Sequence, residues 1–326
     1  MLGVTYPTAL GLPDPSRPKL DWRPPASVSF GDESAQSPKK ADKFSFSYSE
    51  YNKAWMGAVT KGLNVSKIPL SLKVAGNSNV FAYCRGVQMI FDGEGGVCDT
   101  PATGSNYKTM LIVGGSHMSM LVPAILGAVN LAHWRVIAIT SPSCTFLDEQ
   151  IDSHNTFYKP CVEAHSYLNT YLTNHRPDLM LVNQHVLVSE NQQKLGFDPN
   201  TWRASFLRFK KQVKRLVLIS PTVGTASIPE CMSKNGTLSK CQMQRHSGVP
   251  GLEAANAVAK NAGISVIDPN EFVCTQQLCP NFIGQRLVTH DGQHYTYGLS
   301  DDIAPLFAHE LARLNLAGVK TFKSEN

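Results

Sequence analysis

Two short stretches of this 326-residue chain hold residues of the right types for nucleophilic catalysis. In LIVGGSHMSM (111–120) an apolar run stops on Gly114 and Gly115, presents the hydroxyl of Ser116, and resumes as a second apolar run. A serine at a strand-to-helix turn carries its Oγ above the sheet. Its own N–H then heads a helix, where negative charge is favoured, so one residue can be both nucleophile and oxyanion donor. The glycines permit the tight turn. The same residues also fit an ordinary βα loop with Ser116 as the helix N-cap. The second stretch, THDGQHYTYG (289–298), places Asp291 and His294 three residues apart. One turn can present both side chains to the same side, the carboxylate orienting the imidazole while the other ring nitrogen faces the serine. Alone, a D-x-x-H is a solvated loop as readily as a dyad; its position after the last expected strand, on the sheet edge that carries Ser116, joins the two stretches.

The elements that must position these groups follow from the alternation of period. From residue 108 onward, short apolar β-rich runs exchange with longer amphipathic ones, as in βαβ units. Strands are expected at 109–115, 134–140, 177–183, 215–221 and 264–268. Helices are expected at 118–132, 158–174, 200–214, 251–262 and near 300–315. Strands apolar at every position are buried on both faces, so the expected fold is α/β, a three-layer doubly wound parallel sheet. Ligands of such sheets sit outside the carboxyl ends of the strands, where Ser116 falls. Residues 1–45, with seven prolines among Ser and charged residues, read as a Pro-rich linker. Residues 46–105 read as a small N-terminal extension packed on the catalytic domain, with a helix near SEYNKAWMGAVTKGL, and 106–326 as the catalytic domain.

Composition narrows the function classes. A chain of this length with 42% hydrophobic residues can bury a substantial core. A net charge of +5 with no aromatic-interleaved basic stripe gives no ground for a nucleic-acid partner. The densest basic cluster, RFKKQVKR (208–215), reads as a solvated helix face. Residues 109–134 lack Lys, Arg, Asp and Glu and are long enough to span a bilayer, but Gly114 to His117 break the run into a buried strand and an apolar helix. The eight cysteines form no zinc-spaced cluster, so no metal is expected. They fall into sequence neighbours, Cys84 with Cys98, Cys144 with Cys161, Cys231 with Cys241 and Cys274 with Cys279, although other connectivities are open. Local disulfide staples imply an oxidising compartment. No charged-then-apolar leader follows Met1, which suggests a segment of a longer exported or membrane-bound protein.

Taken in order, the Gly114-Gly115-Ser116-His117 turn, SPSCTFLD, PDLMLVNQHV, IPECMSKNGTLSKC, VIDPNEFVCTQQLCP and the late Asp291/His294 segment resemble the SGNH hydrolase superfamily. More narrowly, they are similar to the C-terminal extracytoplasmic SGNH domain of acyltransferase-3 fusion proteins. The resemblance implies an SGNH/flavodoxin-like fold and a Ser116–His294–Asp291 triad. It also implies O-acyl transfer, usually of acetyl, through an acyl-serine to a hydroxyl of a cell-envelope glycan or glycolipid. The partner is then an N-terminal acyltransferase-3 transmembrane domain that holds the protein at the membrane. No cofactor is expected in this chain, because acetyl-CoA would act at the missing membrane domain. An esterase using the same triad and a non-catalytic glycan-binding domain are the alternatives.

Two departures stand out. The family's usual Asp is Gly115 here, and TSPSCTF lacks the oxyanion glycine expected after the second strand. Asn183 occupies the place of the family's asparagine, as an oxyanion donor or as a buried cap of the strand end. His117 and His185 read as packing or hydrogen-bonding residues near the site, and His290 as a loop residue.

Overall fold

Leu111, Ile112 and Val113 are wholly buried in succession, so the strand that delivers Ser116 needs apolar cover on both faces. A computed structural model of the chain describes residues 43–66, 84, 86–147, 158–184, 198–224, 227–245, 252–284 and 286–324. Most of the expected Pro-rich linker, and His185, lie outside the described residues. The helices are α1 (Tyr48–Gly62), α2 (Ser116–Ser119), α3 (Val122–Ala128), α4 (Tyr158–Asn174), α5 (Pro199–Gln212), α6 (Ile228–Asn235), α7 (Leu252–Asn261), α8 (Asn270–Val273), α9 (Tyr297–Asp302) and α10 (Ala304–Arg313). The main-sheet strands are β1 (Val87–Ile90), β2 (Gly96–Thr100), β3 (Lys108–Gly114), β4 (Trp134–Thr140), β5 (Leu179–Asn183), β6 (Leu216–Ile219) and β8 (Ser265–Ile267). Two small hairpins are made by β7 (Met243–Gln244) with β9 (Leu278–Cys279), and by β10 (Phe282–Ile283) with β11 (Arg286–Leu287).

The seven-stranded sheet runs β1-β2-β4-β3-β5-β6-β8. The five strands from β4 to β8 are parallel. Counting from β3, they follow the flavodoxin-like order 2-1-3-4-5. The chain leaves β3 for β4 on one side and then crosses to β5 on the other, so the topological switch point lies at the end of β3.

Alternate residues of each strand build the two cores. Ile112, Ala138, Leu181 and Ile219 pack with α1, α3 and α10 on one face; Leu111, Ile137, Met180 and Leu218 pack with α4, α5 and α7 on the other. Lys210, Lys211, Lys214 and Arg215 are exposed, as expected of the basic face. Among the described residues no helix is long and apolar enough to cross a membrane.

The structure departs from the expected all-parallel sheet at one edge. β2 pairs antiparallel with β4, and β1 antiparallel with β2. The sheet therefore begins at residue 87, inside the stretch read from sequence as an N-terminal extension. A charged pair links β2 to β4: Arg135 donates to Asp99 from Nε at 2.9 Å and from the terminal nitrogen at 2.5 Å.

The expected helix at 118–132 is two helices, and so is the last one near 300–315. Proline is the physical reason in both places. Pro123 and Pro305 sit in the first turns of α3 and α10, where a missing N–H costs nothing but a continuous helix cannot run through. The four disulfides join the sequence neighbours, Cys84–Cys98, Cys144–Cys161, Cys231–Cys241 and Cys274–Cys279.

Candidate active site

β3 ends on Gly114, and its neighbours show why glycine stands there. A Cβ at Gly114 would lie 2.5 Å from the Cβ of Met118 and 2.6 Å from the carbonyl oxygen of Asn183, so helix α2 and strand β5 both close on bare backbone. Gly115 is the N-cap of α2 in ordinary extended geometry, and Ser116 is the first helical residue. The N–H groups of Met118 and Ser119 both bond to the Gly115 carbonyl. The Ser116 N–H heads the helix, where helical geometry supplies no acceptor.

His294 arrives from the far end of the chain, 178 residues downstream of Ser116. A bridge between Thr289 and Tyr295 closes the loop, and Gly292 turns it at φ 94. The Oγ1 of Thr296 caps α9 and donates to the Leu287 carbonyl at 2.7 Å. One residue ties this loop to the serine turn: Met120, between α2 and α3, receives the Tyr295 N–H on its sulfur and the Ser300 hydroxyl on its carbonyl.

These supports bring Ser116, His294 and Asp291 into one hydrogen-bonded line. His294 Nε2 lies 2.8 Å from Ser116 Oγ, and His294 Nδ1 lies 2.6 Å from Asp291 Oδ2. The other carboxylate oxygen of Asp291 accepts the backbone N–H groups of Gln293 at 2.9 Å and His294 at 2.7 Å. Partial burial alone would raise this carboxyl. The bonds from the His294 ring and from the two backbone N–H groups outweigh it and hold Asp291 well below the usual carboxylate range. Asp291 is therefore ionised at any working pH and accepts the Nδ1 proton, which leaves Nε2 as the acceptor facing the serine.

Two further histidines flank the His294 ring. His117 is buried, its Nδ1 2.6 Å from Thr222 Oγ1 and its ring centroid 4.8 Å from that of His294. His290, in the loop, approaches Asp291 Oδ2 with its Nε2 at 3.6 Å. The ligand-type atoms of His290, Asp291 and His294 lie within 4.8 Å of one another, a set that could take a borderline cation. Thr222 carries no signal in the sequence that would have found it.

Of the two roles open to Asn183, the hydrogen bonds favour the strand-end cap. Its amide nitrogen donates to the carbonyls of Ile219 at 3.0 Å and Ser220 at 3.1 Å, so both N–H groups point to β6 and its end and not to an oxyanion over Ser116. It is a strand-end cap. The missing glycine of TSPSCTF has a different answer: Ser143 takes φ 53, the left-handed region where glycine is usual.

The two glycines of the turn predict opposite outcomes. Gly114→Ala should cost about 1–3 kcal/mol through overpacking and displace the serine. At Gly115 the nearest atom to an added Cβ is the Cys144 carbonyl oxygen, at an ordinary 3.4 Å. Gly115→Ala should fold and gain about 0.4–1 kcal/mol from the unfolded chain's lost freedom. Urea denaturation of the two variants beside the parent checks both signs.

A family model described as "SGNH domain (fused to AT3 domains)" matches residues 83–309. No curated protein matches the chain. Similar solved structures include the periplasmic domain of a lipopolysaccharide acetyltransferase from Salmonella ser. Paratyphi A, at 15% identity and TM-score 0.47, covering 64% of this chain and 84% of that one. Another is Axe2, an acetylxylan esterase from Geobacillus stearothermophilus, at 11% identity and TM-score 0.37, covering 68% of this chain and 99% of that one.

Proposed function

Because this chain belongs to the family of SGNH domains fused to AT3 domains, we propose that it is an O-acyltransferase domain working through an acyl-Ser116 intermediate. The acceptor is a hydroxyl of a cell-envelope glycan or glycolipid, and acetyl is the expected acyl group. The observation that carries this reading is the unbroken hydrogen-bonded line from Ser116 through His294 to Asp291.

In the first half-reaction Ser116 Oγ attacks the acyl carbonyl while its proton passes to His294 Nε2. The resulting oxyanion is met by the Ser116 N–H at the head of α2. His294 then returns the proton to the departing group, leaving the acyl ester on Ser116. In the second half the acceptor hydroxyl gives its proton to His294 and attacks the ester, and Ser116 recovers its proton as the acylated sugar leaves. Asp291 holds the Nδ1–H throughout. The reaction as drawn needs no cofactor in this chain. The acyl group, originating from acetyl-CoA, would be delivered by the AT3 membrane domain that tethers this part outside the membrane. Four disulfides favour such an oxidising, extracytoplasmic compartment.

The second reading is hydrolysis. The side chains of His294 and Asp291 are 24% and 42% exposed, so the imidazole is open to water. The non-catalytic glycan-binding reading gains nothing from a line of bonds whose geometry suits proton transfer. The test is an activated acetyl ester with and without mono- and oligosaccharides, parent beside Ser116→Ala, with products read by mass spectrometry. Acetylated sugar formed only with Ser116 supports transfer. Ester consumption indifferent to sugar assigns an esterase, and no serine-dependent turnover defeats both.

A further inference from the structure

The side chain missing at position 115 leaves the nucleophile turn without a brace of its own, and another part of the molecule lies over it. The closest non-neighbouring atoms to a Cβ at Gly115 are the Cys144 carbonyl oxygen at 3.4 Å, the Ser141 carbonyl oxygen at 3.6 Å and the Cys144 nitrogen at 3.8 Å. Residues 141–144, just past the end of β4, therefore sit directly on Gly115. They are tied to it by the Ser141 N–H donating to the Gly114 carbonyl and closed on themselves by the Cys144 N–H donating to Ser141.

This turn is held from outside at three levels. Gly95, in the β1–β2 turn at φ 70, comes so near that a Cβ there would lie 2.5 Å from the Thr140 carbonyl oxygen and 2.7 Å from Ser141 Cα. Beyond Cys144, His165 Nε2 lies 2.8 Å from the Thr145 carbonyl, Gln184 accepts the Leu147 N–H at 2.6 Å, and Ser205 donates to the Leu147 carbonyl at 2.7 Å. At Cys144 itself the attachment is covalent: the disulfide to Cys161 on α4, both cysteines buried.

We propose that the Cys144–Cys161 disulfide is a positioning device for the nucleophile: it fixes the 141–144 turn against Gly115 and thereby sets the Ser116 hydroxyl on His294. The inference rests on the serine-nucleophile reading above. Its special weight comes from position. Of the four disulfides, this one joins the residue whose own backbone touches the serine's N-cap, and a displacement of about 1 Å at a reacting group can cost on the order of a hundredfold in rate.

The test compares the parent, Cys144→Ser/Cys161→Ser and Cys231→Ser/Cys241→Ser, each well below its Tm. The readouts are kcat and KM on an activated acetyl ester and the rate of fluorophosphonate labelling of Ser116. Both double variants should lose Tm. The 144/161 variant should also lose kcat and labelling rate by about 10- to 100-fold with KM nearly unchanged, and the 231/241 variant should stay within about twofold of the parent. Gly95→Ala, which pushes the same turn from the other side with the disulfide intact, should reproduce the kcat loss even where the 144/161 variant does not fold. Labelling and kcat at parental values in a folded 144/161 variant, or in Gly95→Ala where that variant does not fold, overturn the proposal while leaving the catalytic reading in place. A parent whose Ser116 does not label overturns both.

Discussion

Asp291→Asn is expected to lower kcat by about a thousand- to ten-thousandfold with the fold intact. The carboxylate has two tasks that conflict once it becomes an amide. One oxygen accepts two backbone N–H groups and the other accepts His294 Nδ1–H. In asparagine the backbone donors claim the remaining oxygen, so the amide N–H₂ faces Nδ1. Nδ1 must then be an acceptor, the ring proton moves to Nε2, and the atom facing Ser116 Oγ at 2.8 Å can no longer take its proton. Steady-state kinetics on an activated acetyl ester, with Tm as the check on folding, measures this. A loss under about tenfold would mean that Asp291 does not set the tautomer.

Ser116→Ala should be the most damaging change of all, with a loss on the order of 10⁴ to 10⁶ in kcat. The serine's hydroxyl has His294 as its hydrogen-bond partner, and alanine fills the same first position of α2, so the Tm should move little. A residual rate over the uncatalysed reaction is expected wherever the helix-head N–H still polarises the substrate carbonyl. Fluorophosphonate labelling followed by intact-mass measurement separates the outcomes: one adduct on the parent and none on the variant. An adduct that persists in Ser116→Ala would move the nucleophile elsewhere.

The central strands were readable because burial on both faces leaves no position for a polar residue: the run through Leu111, Ile112 and Val113 admits hardly any other interpretation. The antiparallel strand β2, second from the sheet's edge, was hidden for the opposite reason. GVCDT is buried at every position, yet Asp99 breaks its apolar pattern, and only the partner Arg135 on β4 makes that burial tolerable. A cross-strand ion pair has no signature in a linear pattern. The two-residue strands β7, β9, β10 and β11 are too short to show any period at all. In the site, the serine turn and the D-x-x-H were legible as local groupings. Asn183 was legible as a residue with two open roles, and the choice between them was not legible, since its amide is directed by carbonyls of β6 and its end that no spacing rule connects to it. Ser143 was misleading in the converse sense: it takes left-handed backbone without the glycine that usually marks such a position.

The separation of 178 positions between Ser116 and His294 gives the site a timetable. A chain made from its amino end carries the hydroxyl long before the imidazole exists, by on the order of ten seconds at ordinary rates of synthesis. During that interval the serine is merely an alcohol, inert to any activated ester it meets. On the proposed mechanism it becomes a nucleophile only when the loop before α9 docks through Tyr295 and Ser300 onto Met120. On that mechanism, connectivity keeps a nascent chain from being acylated before its C-terminal loop has been made. For the same reason, a cut that frees the C-terminal loop and helices is expected to silence the serine even if every residue around it stays folded.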